Sequence, residues 1–253
     1  MESRRDLSYR KGGSLIHENR KSKCGSPSPR GFFLELQDIA PFGPVLLPCH
    51  RCFTALVDES GLATSDVKQW LAARPAEWSS RIEVVAMDGF SGFKTAATEE
   101  LPDAAAVMDP FHVVRLVGNA LDECRRRVQL ATCGHRGRST DPLYRSRRTL
   151  HTGADLLTDR QKARLAALFA ADAHAEVEAT WQMYQRTVAA YREPDRTKGR
   201  TMMAALITTL STGVPAPLTE LITLGRTLKK RAADVLAYFD RPGTSNGPTE
   251  AIN

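Results

Sequence analysis

Two short apolar runs, each followed directly by an aspartate, constrain the fold of this chain more than any other feature. The runs are Ile82–Met87, followed by Asp88, and Ala104–Met108, followed by Asp109. Both have the length and composition of buried strands. The residues between them predict a turn and then a short helix over about 93–101. A strand–helix–strand unit of this length favours two parallel strands joined by a right-handed crossover.

The position of the two aspartates indicates where chemistry can occur. Neighbouring parallel strands end at the same edge of a sheet, and open α/β sheets place their active sites at that edge. Asp88 and Asp109 are therefore candidate ligands for a divalent cation. A second interpretation of Asp109 is equally open, because Pro110 follows it directly. An aspartate before a proline is typical of a helix start, with Asp109 as the cap and Pro110 at the first helical position.

The rest of the sequence predicts helices. Near the N-terminal side, Thr64 or Ser65 can cap a helix over 66–73. From residue 111 to about 240, apolar residues recur at helical spacing, and no strand signal of comparable strength appears. The strongest signals cover 160–193, which predicts one or two helices, and 201–211 and 217–238, which predict one helix each. We interpret their Leu and Ala stripes as the core of a helical bundle.

Positive charge is concentrated in two places along the 253 residues. The whole chain has 35 basic and 29 acidic residues, a formal net charge of +6. Residues 1–30 alone have a net charge of +5, and residues 115–148 have a net charge of +6 from nine arginines against three acidic residues. A nucleic-acid interaction has to rest on a local surface of this kind rather than on the overall charge.

The second concentration supplies the candidate DNA-binding residues. Three of them are consecutive and fan around a predicted helix, while the other five are expected in a basic loop after it. A solvated charged loop is the alternative. The candidates are Arg125, Arg126, Arg127, Arg136, Arg138, Arg145, Arg147 and Arg148.

The cellular context follows from cysteine usage and hydropathy. No apolar run approaches the roughly 18 residues of a membrane span, and no signal peptide is visible at the start. The five cysteines are an odd number, which favours a reducing cytoplasm over a disulfide framework. Cys49 and Cys52 form a lone C-x-x-C without a second ligand pair, so we interpret them as ordinary thiols rather than a zinc site.

Two motifs carry a resemblance to a known family. The run IEVVAMDGFSGFKTAATEELPDAAAVMDPFHVVRL at 82–116, together with the closing NGPTEAIN, resembles bacterial insertion-sequence transposases of the DDE class and ISL3 type. The resemblance covers roughly residues 56–253. It implies an α/β fold that is mostly helical overall, with a partial RNase H-like core and a large all-helical insertion.

The resemblance also implies a division of the chain into four parts. Residues 1–54 form a poorly structured or non-family segment, and residues 55–117 form the partial RNase H-like catalytic core. The helical insertion covers 118–240. Residues 241–253 begin the C-terminal core helix that carries the last acidic residue of the family.

By the same resemblance, the chemistry is two-metal phosphoryl transfer. Three carboxylates hold two Mg²⁺ or Mn²⁺ ions about 4 Å apart. Asp88 matches the family's second acidic residue and Glu250 the third, so both are assigned as catalytic metal ligands. Asp109 and His112 match the D-x-F-H block beside the site, Asp109 as a catalytic residue. Asn246 and Glu250 share a face of the predicted helix, which places Asn246 near the site.

The first catalytic aspartate of the family is the main departure. Residues 1–60 show no clear strand that ends in an aspartate and continues into a hairpin, and Asp58 is a candidate by neighbourhood only, at the wrong spacing. We therefore expect a chain that is truncated at both ends and does not cleave DNA alone. Its partners by resemblance are the ends of its element, target DNA and further copies of itself.

Two non-enzymatic functions compete with this interpretation. One is a helical DNA-binding protein that uses the arginines of 115–148 and has no metal site. The other is a helical interaction protein without a nucleic-acid partner. The distance between Asp88 and Glu250 separates the enzyme from both, because shared metal ions require their carboxylates within roughly 4–8 Å.

Overall fold

A three-stranded parallel sheet is the architectural element on which the candidate site depends. The computed structural model describes residues 53–54, 64–87, 91–241 and 244. The sheet contains β1 (Phe53–Thr54), β2 (Val84–Met87) and β3 (Ala105–Met108) in that order. Both neighbouring pairs are parallel. The predicted parallel pairing of the two apolar runs is confirmed, and β1 is an addition to it.

The strand register brings the ends of β2 and β3 to the same level. Val84 pairs with Ala105 and Met87 pairs with Met108. Beyond the last pair, the backbone amide of Asp109 donates a hydrogen bond to the carbonyl oxygen of Met87 at 3.1 Å. All four residues of β2 are buried, as expected for the central strand of a covered parallel sheet.

Helices make up most of the remainder of the described chain, as predicted. The predicted segment 160–193 forms two helices, and 217–238 is interrupted at Arg231 rather than continuous. The helices are α1 Thr64–Ala72, α2 Ala76–Ser79, α3 Ser91–Glu100, α4 Pro110–Cys133, α5 Pro142–Leu150, α6 Asp159–Phe169, α7 Ala175–Arg192, α8 Arg196–Thr212, α9 Thr219–Lys230 and α10 Ala232–Asp240.

Helix α4 has the start that its sequence predicts. The Asp109 side chain accepts a hydrogen bond from the backbone amide of Phe111, and Pro110 occupies the first helical turn. The helix ends at Gly134, whose φ of +71° is the left-handed conformation that glycine adopts readily. The cap interpretation of Asp109 is therefore confirmed.

Two hydrophobic clusters include residues of the sheet strands. The smaller one packs α1 and α3 against β2 through residues such as Leu71, Val85 and Leu101. The larger one contains Met108 of β3 and the inward faces of α4 to α10, with Leu121 fully buried within it. Burial of this apolar surface is the main force that stabilises the helical part.

Helix α4 belongs to both the sheet region and the helical region. It begins at the end of β3 and runs without a break to Cys133, so the predicted division between 117 and 118 falls in its middle. Phe53 and Thr54, which the predicted division assigns to the N-terminal segment, pair with β2 in the sheet.

Candidate catalytic edge and basic surface

The carboxyl ends of β2 and β3 form the edge where the sequence predicts a metal site. Asp109 follows the paired Met108 at this edge. Asp88 follows Met87 in the chain, but it lies outside the described residues, as do Asn246 and Glu250. The approach of Asp88 to Glu250 therefore stays a prediction.

Asp109 has a defined structural role at the edge. It is only 1 % exposed, and its Oδ1 accepts the Phe111 amide at 2.7 Å. The bond fixes the first turn of α4 against the end of β3. His112 lies in the same turn and is half-buried. Roles for Asp109 and His112 in catalysis stay predictions, whereas the cap is a property of the fold.

Strand β1 adds a third chain segment to this edge, and sequence reasoning missed it. Phe53 pairs with Val85 and Thr54 with Ala86. The available signal was the apolar run from Phe53 to Val57, which ends at Asp58 just as the other two runs end at aspartates. Asp58 itself lies outside the described residues.

A buried ion-pair triad lies beside the end of β2. Asp234 of α10, 3 % exposed, binds the Lys94 ammonium with both carboxylate oxygens at 2.8 Å. Its Oδ2 also accepts from Arg231 Nε at 2.6 Å. Arg231, 5 % exposed, places an amino group 3.8 Å from the Met87 sulfur. The triad joins α3, α10 and β2.

The predicted basic loop is partly helical. Arg145, Arg147 and Arg148 lie on α5, whereas Arg136 and Arg138 lie in the segment between α4 and α5. A proline preceded by an aspartate starts α5 at Pro142, the same signal that starts α4, and this signal could have placed the three arginines on a helix.

Most of these arginines are accessible. Arg126, Arg136, Arg138, Arg145 and Arg148 are exposed, and Arg147 is half-buried. The Arg147 guanidinium lies 4.2 Å from the centre of the Tyr144 ring, an attractive cation–π arrangement. These six residues are called the basic surface below.

Arg125 does not belong to that surface. It is only 4 % exposed, its Nε donates to Asp122 at 3.1 Å, and one terminal amino group donates to Gln129 Oε1 at 3.3 Å. A guanidinium that is buried and hydrogen-bonded in this way offers no surface to a phosphate. We therefore leave Arg125 out of the basic surface, and a direct contact of Arg125 with DNA stays a prediction.

Arg127 is also engaged inside the protein. It contacts Glu220 of α9 at 2.6 Å and Glu176 of α7 at 2.7 Å, and so joins three helices. The hydrogen bond with Arg127 lowers the pKa of the Glu220 carboxyl, and the same bond raises the pKa of Arg127. The charge of Arg127 is thus already compensated, and we omit it from the basic surface.

Two features are absent from the described part of the chain. Outside the undescribed stretches, no three His, Cys, Asp or Glu side chains come close enough together to hold a metal ion. None of the described helices is both long enough and apolar enough to cross a membrane.

Comparison with known proteins identifies the family. A family model described as a transposase, of the DDE class and ISL3 type, matches residues 57–253. The match includes α1 to α10, β2, β3 and the closing N-G-P-T-E-A-I-N motif. Neither the curated proteins nor the solved structures include a match to this chain. The chain belongs to the ISL3 family of DDE transposases.

Proposed function

We propose that this chain catalyses metal-dependent DNA strand transfer at the edge formed by the carboxyl ends of β1, β2 and β3. The observation that carries the proposal is the pairing of Met87 with Met108, because these residues directly precede Asp88 and Asp109. The family supplies the reaction class, and the parallel sheet supplies an edge of the kind where α/β proteins bind ligands.

The first carboxylate of the site is proposed to come from Asp58. If the pairing of Thr54 with Ala86 were continued in the same register, residue 56 would lie level with Asp88, and Asp58 is two residues further along the chain. At about 3.3 Å per residue in an extended strand, that offset is roughly 7 Å. Inactivity is the expectation from the sequence, and β1, a strand just upstream of Asp58 in the chain, supports activity instead.

Asp58, Asp88 and Glu250 are proposed as the metal ligands. Carboxylate oxygens are the hard donors that Mg²⁺ and Mn²⁺ prefer, so the residue types fit these ions. When bound, the ions would activate a water molecule or a DNA 3′-hydroxyl and stabilise the leaving oxygen. Asp109 holds the start of α4 at the edge, and Lys94 and Arg231 bring positive charge beside it.

An RNase H-like core with a helical insertion remains the proposed architecture. The parallel strands, with a helix between β2 and β3, support it, as does the long all-helical stretch before Glu250. The insertion is proposed to begin within α4, because that helix starts at the sheet and continues into the large core. Oligomerisation and a location in the bacterial cytoplasm, where the element's DNA is found, are part of the proposal.

The basic surface is proposed to bind the phosphate backbone of this DNA. Replacing Arg136 and Arg138 together with alanine should weaken binding to duplex DNA at low salt. The slope of log K against log salt should also become shallower by about 1.8, because each phosphate contact contributes about 0.9. Fluorescence anisotropy over a salt series measures both quantities.

A matched control distinguishes the loss of direct phosphate contacts from the loss of net positive charge. Arg226 and Lys229 are exposed on α9, away from the basic surface in sequence, and their replacement by alanine removes the same total charge. This control should leave the slope nearly unchanged. Equal slopes in both double variants would contradict a DNA contact by Arg136 and Arg138.

Strand transfer itself is tested with purified chain, DNA carrying the element ends, and Mg²⁺. Joined product that depends on the metal supports the enzyme. Salt-dependent DNA binding without any metal-dependent cleavage or joining would favour the alternative, a DNA-binding protein without enzymatic activity. The observation in favour of that alternative is that the Asp109 carboxylate is buried and one of its oxygens is engaged as the cap of α4.

A further inference from the structure

The segment between α4 and α5 is anchored by buried polar contacts. Gln129 of α4 is fully buried, and its amide nitrogen donates to Asp141 Oδ2 at 3.0 Å. The same Asp141 oxygen accepts the backbone amide of Arg138 at 2.5 Å. Gln129 in turn accepts from the buried Arg125, which is also paired with Asp122. Each of these polar groups would be costly to bury without its partner.

A glycine within the segment lies directly against this network. Gly137 has a φ of +127°, a conformation that residues with a side chain rarely adopt. A Cβ at this position would lie 2.5 Å from Gln129 Nε2 and 2.7 Å from Tyr144 Cδ2. Because both distances are far below normal contact, only glycine allows the segment to approach the Gln129 amide and the Tyr144 ring so closely.

The same packing extends to the arginines of α5. Tyr144 contacts Gly137 on one side and carries the Arg147 guanidinium over its ring. Arg147 also donates to the Tyr144 carbonyl oxygen at 2.9 Å. The backbone that bears Arg136 and Arg138 and the helix that bears Arg145 and Arg148 are thus fixed to α4 by one set of contacts.

We propose that Arg125, Gln129, Asp141 and Gly137 are positioning residues that present the basic surface to duplex DNA in a preformed arrangement. This inference rests on the proposed DNA binding, and it gives a physical reason for the affinity of that binding. Ordering a long side chain or a loop on binding costs free energy, and a surface fixed in advance avoids part of that cost. Arg125 therefore acts through the structure of the segment and not by touching a phosphate.

The phosphate backbone of DNA is the partner that this surface fits. The six arginines of the basic surface lie between positions 126 and 148, and Asp141, the one acidic residue in that range of the sequence, is bound to the Gln129 amide. Just before this range, Asp122 pairs with Arg126 at 3.2 Å and Glu123 is exposed. The surface therefore keeps a net positive charge that suits a polyanion. Because the chain belongs to a transposase family, DNA is the polyanion that we expect to bind there.

The test is a substitution that changes no charge. Gly137→Ala should push away the Gln129 amide and the Tyr144 ring, so that several arginines lose their phosphate contacts together. We expect the affinity for a duplex oligonucleotide to fall at least about tenfold at low salt. The salt slope should fall by more than about 0.9, the value for a single contact, although every arginine is still present.

Gly134→Ala is the matched control. Gly134 lies in the same segment and also has a positive φ, but a Cβ there has no atom within 4 Å. This variant also places a side chain at a positive φ, with less strain than at the φ of +127° of Gly137, and it lacks the clash, so its salt slope should equal that of the unaltered chain. Circular dichroism of each variant shows whether the helices are retained.

Asp141→Ala provides a second variant whose effect has a diagnostic sign. It removes a negative charge beside a surface that binds a polyanion, so electrostatics alone would raise the affinity for DNA. The positioning role instead predicts a lower affinity and a shallower salt slope. The Asp141 side chain makes no capping bond to α5, so helix α5 does not depend on it for a cap.

The outcomes separate this inference from the proposed function. Steep salt dependence in the unaltered chain and shallower slopes in both Gly137→Ala and Asp141→Ala support the inference. An unaltered slope in Gly137→Ala, together with tighter binding by Asp141→Ala, overturns it and leaves DNA binding by independent arginines intact. Failure of the unaltered chain to bind duplex DNA at low salt overturns both.

Discussion

Replacing Asp88 with asparagine is expected to lower the rate of strand transfer by at least about 10³-fold. Asparagine keeps the size of the side chain and removes the anionic oxygen that a divalent cation needs. Loss of several kcal/mol of metal-dependent stabilisation of the transition state corresponds to a decrease of this order. The measurement is the rate of product joining at saturating DNA and Mg²⁺.

The control for this substitution is Asp103→Asn. Asp103 is exposed in the turn that precedes β3, at the opposite end of that strand from Asp109. The same change of charge there should leave the rate within about twofold of the unaltered chain. DNA affinity should be similar in both variants, so that a loss of rate reports on chemistry. A normal rate for Asp88→Asn would contradict the assigned site.

Replacing Asp234 with alanine is expected to reduce the free energy of unfolding by about 3–5 kcal/mol. The reason is the buried Arg231 guanidinium, which loses the carboxylate that binds it at 2.6 Å. Lys94 loses both of its 2.8 Å contacts as well, although its greater exposure lets water replace them in part. Urea unfolding followed by circular dichroism measures the change.

Asp240→Ala is the matched control for Asp234. Asp240 is also on α10 and pairs with Arg200 at 3.3 Å, but both side chains are exposed. Pairs of this kind contribute at most about 1 kcal/mol. Combining Asp234→Leu with Arg231→Met should restore much of the stability, because the buried charge is then absent. Equal decreases in the free energy of unfolding for Asp234→Ala and Asp240→Ala would contradict the claim that the buried ion pair contributes more than the exposed one.

The elements that the sequence predicts well have strong local causes. β2 and β3 are apolar runs bounded by turn residues, and the start of α4 combines an aspartate cap with a proline. These signals act over a few residues, so they are visible without tertiary information. The break at Arg231 is different, because 217–238 has continuous helical periodicity and nothing in its composition interrupts it.

The interactions that the sequence could not predict connect distant residues. Lys94 and Asp234 are 140 positions apart, and their pairing depends on how α10 packs against the sheet. The burial of Arg125 depends on the fold of the segment after α4, which brings Asp141 back to Gln129. The place of β1 in the sheet likewise depends on distant residues, because Phe53 and Thr54 pair with Val85 and Ala86. At the proposed catalytic edge, both aspartates are visible in the sequence, and the structure adds the pairing of Met87 with Met108, the residues that precede them.

The central claim is that acidic residues at the ends of three parallel strands and on the closing motif bind divalent cations. Mn²⁺ binding to the full chain, measured by electron paramagnetic resonance in the presence of element-end DNA, tests it most directly. We predict that Asp58→Asn, Asp88→Asn and Glu250→Gln each lower the Mn²⁺ affinity at least about tenfold, whereas Asp103→Asn leaves it unchanged. Unchanged Mn²⁺ affinity in all three of the first variants would contradict the claim.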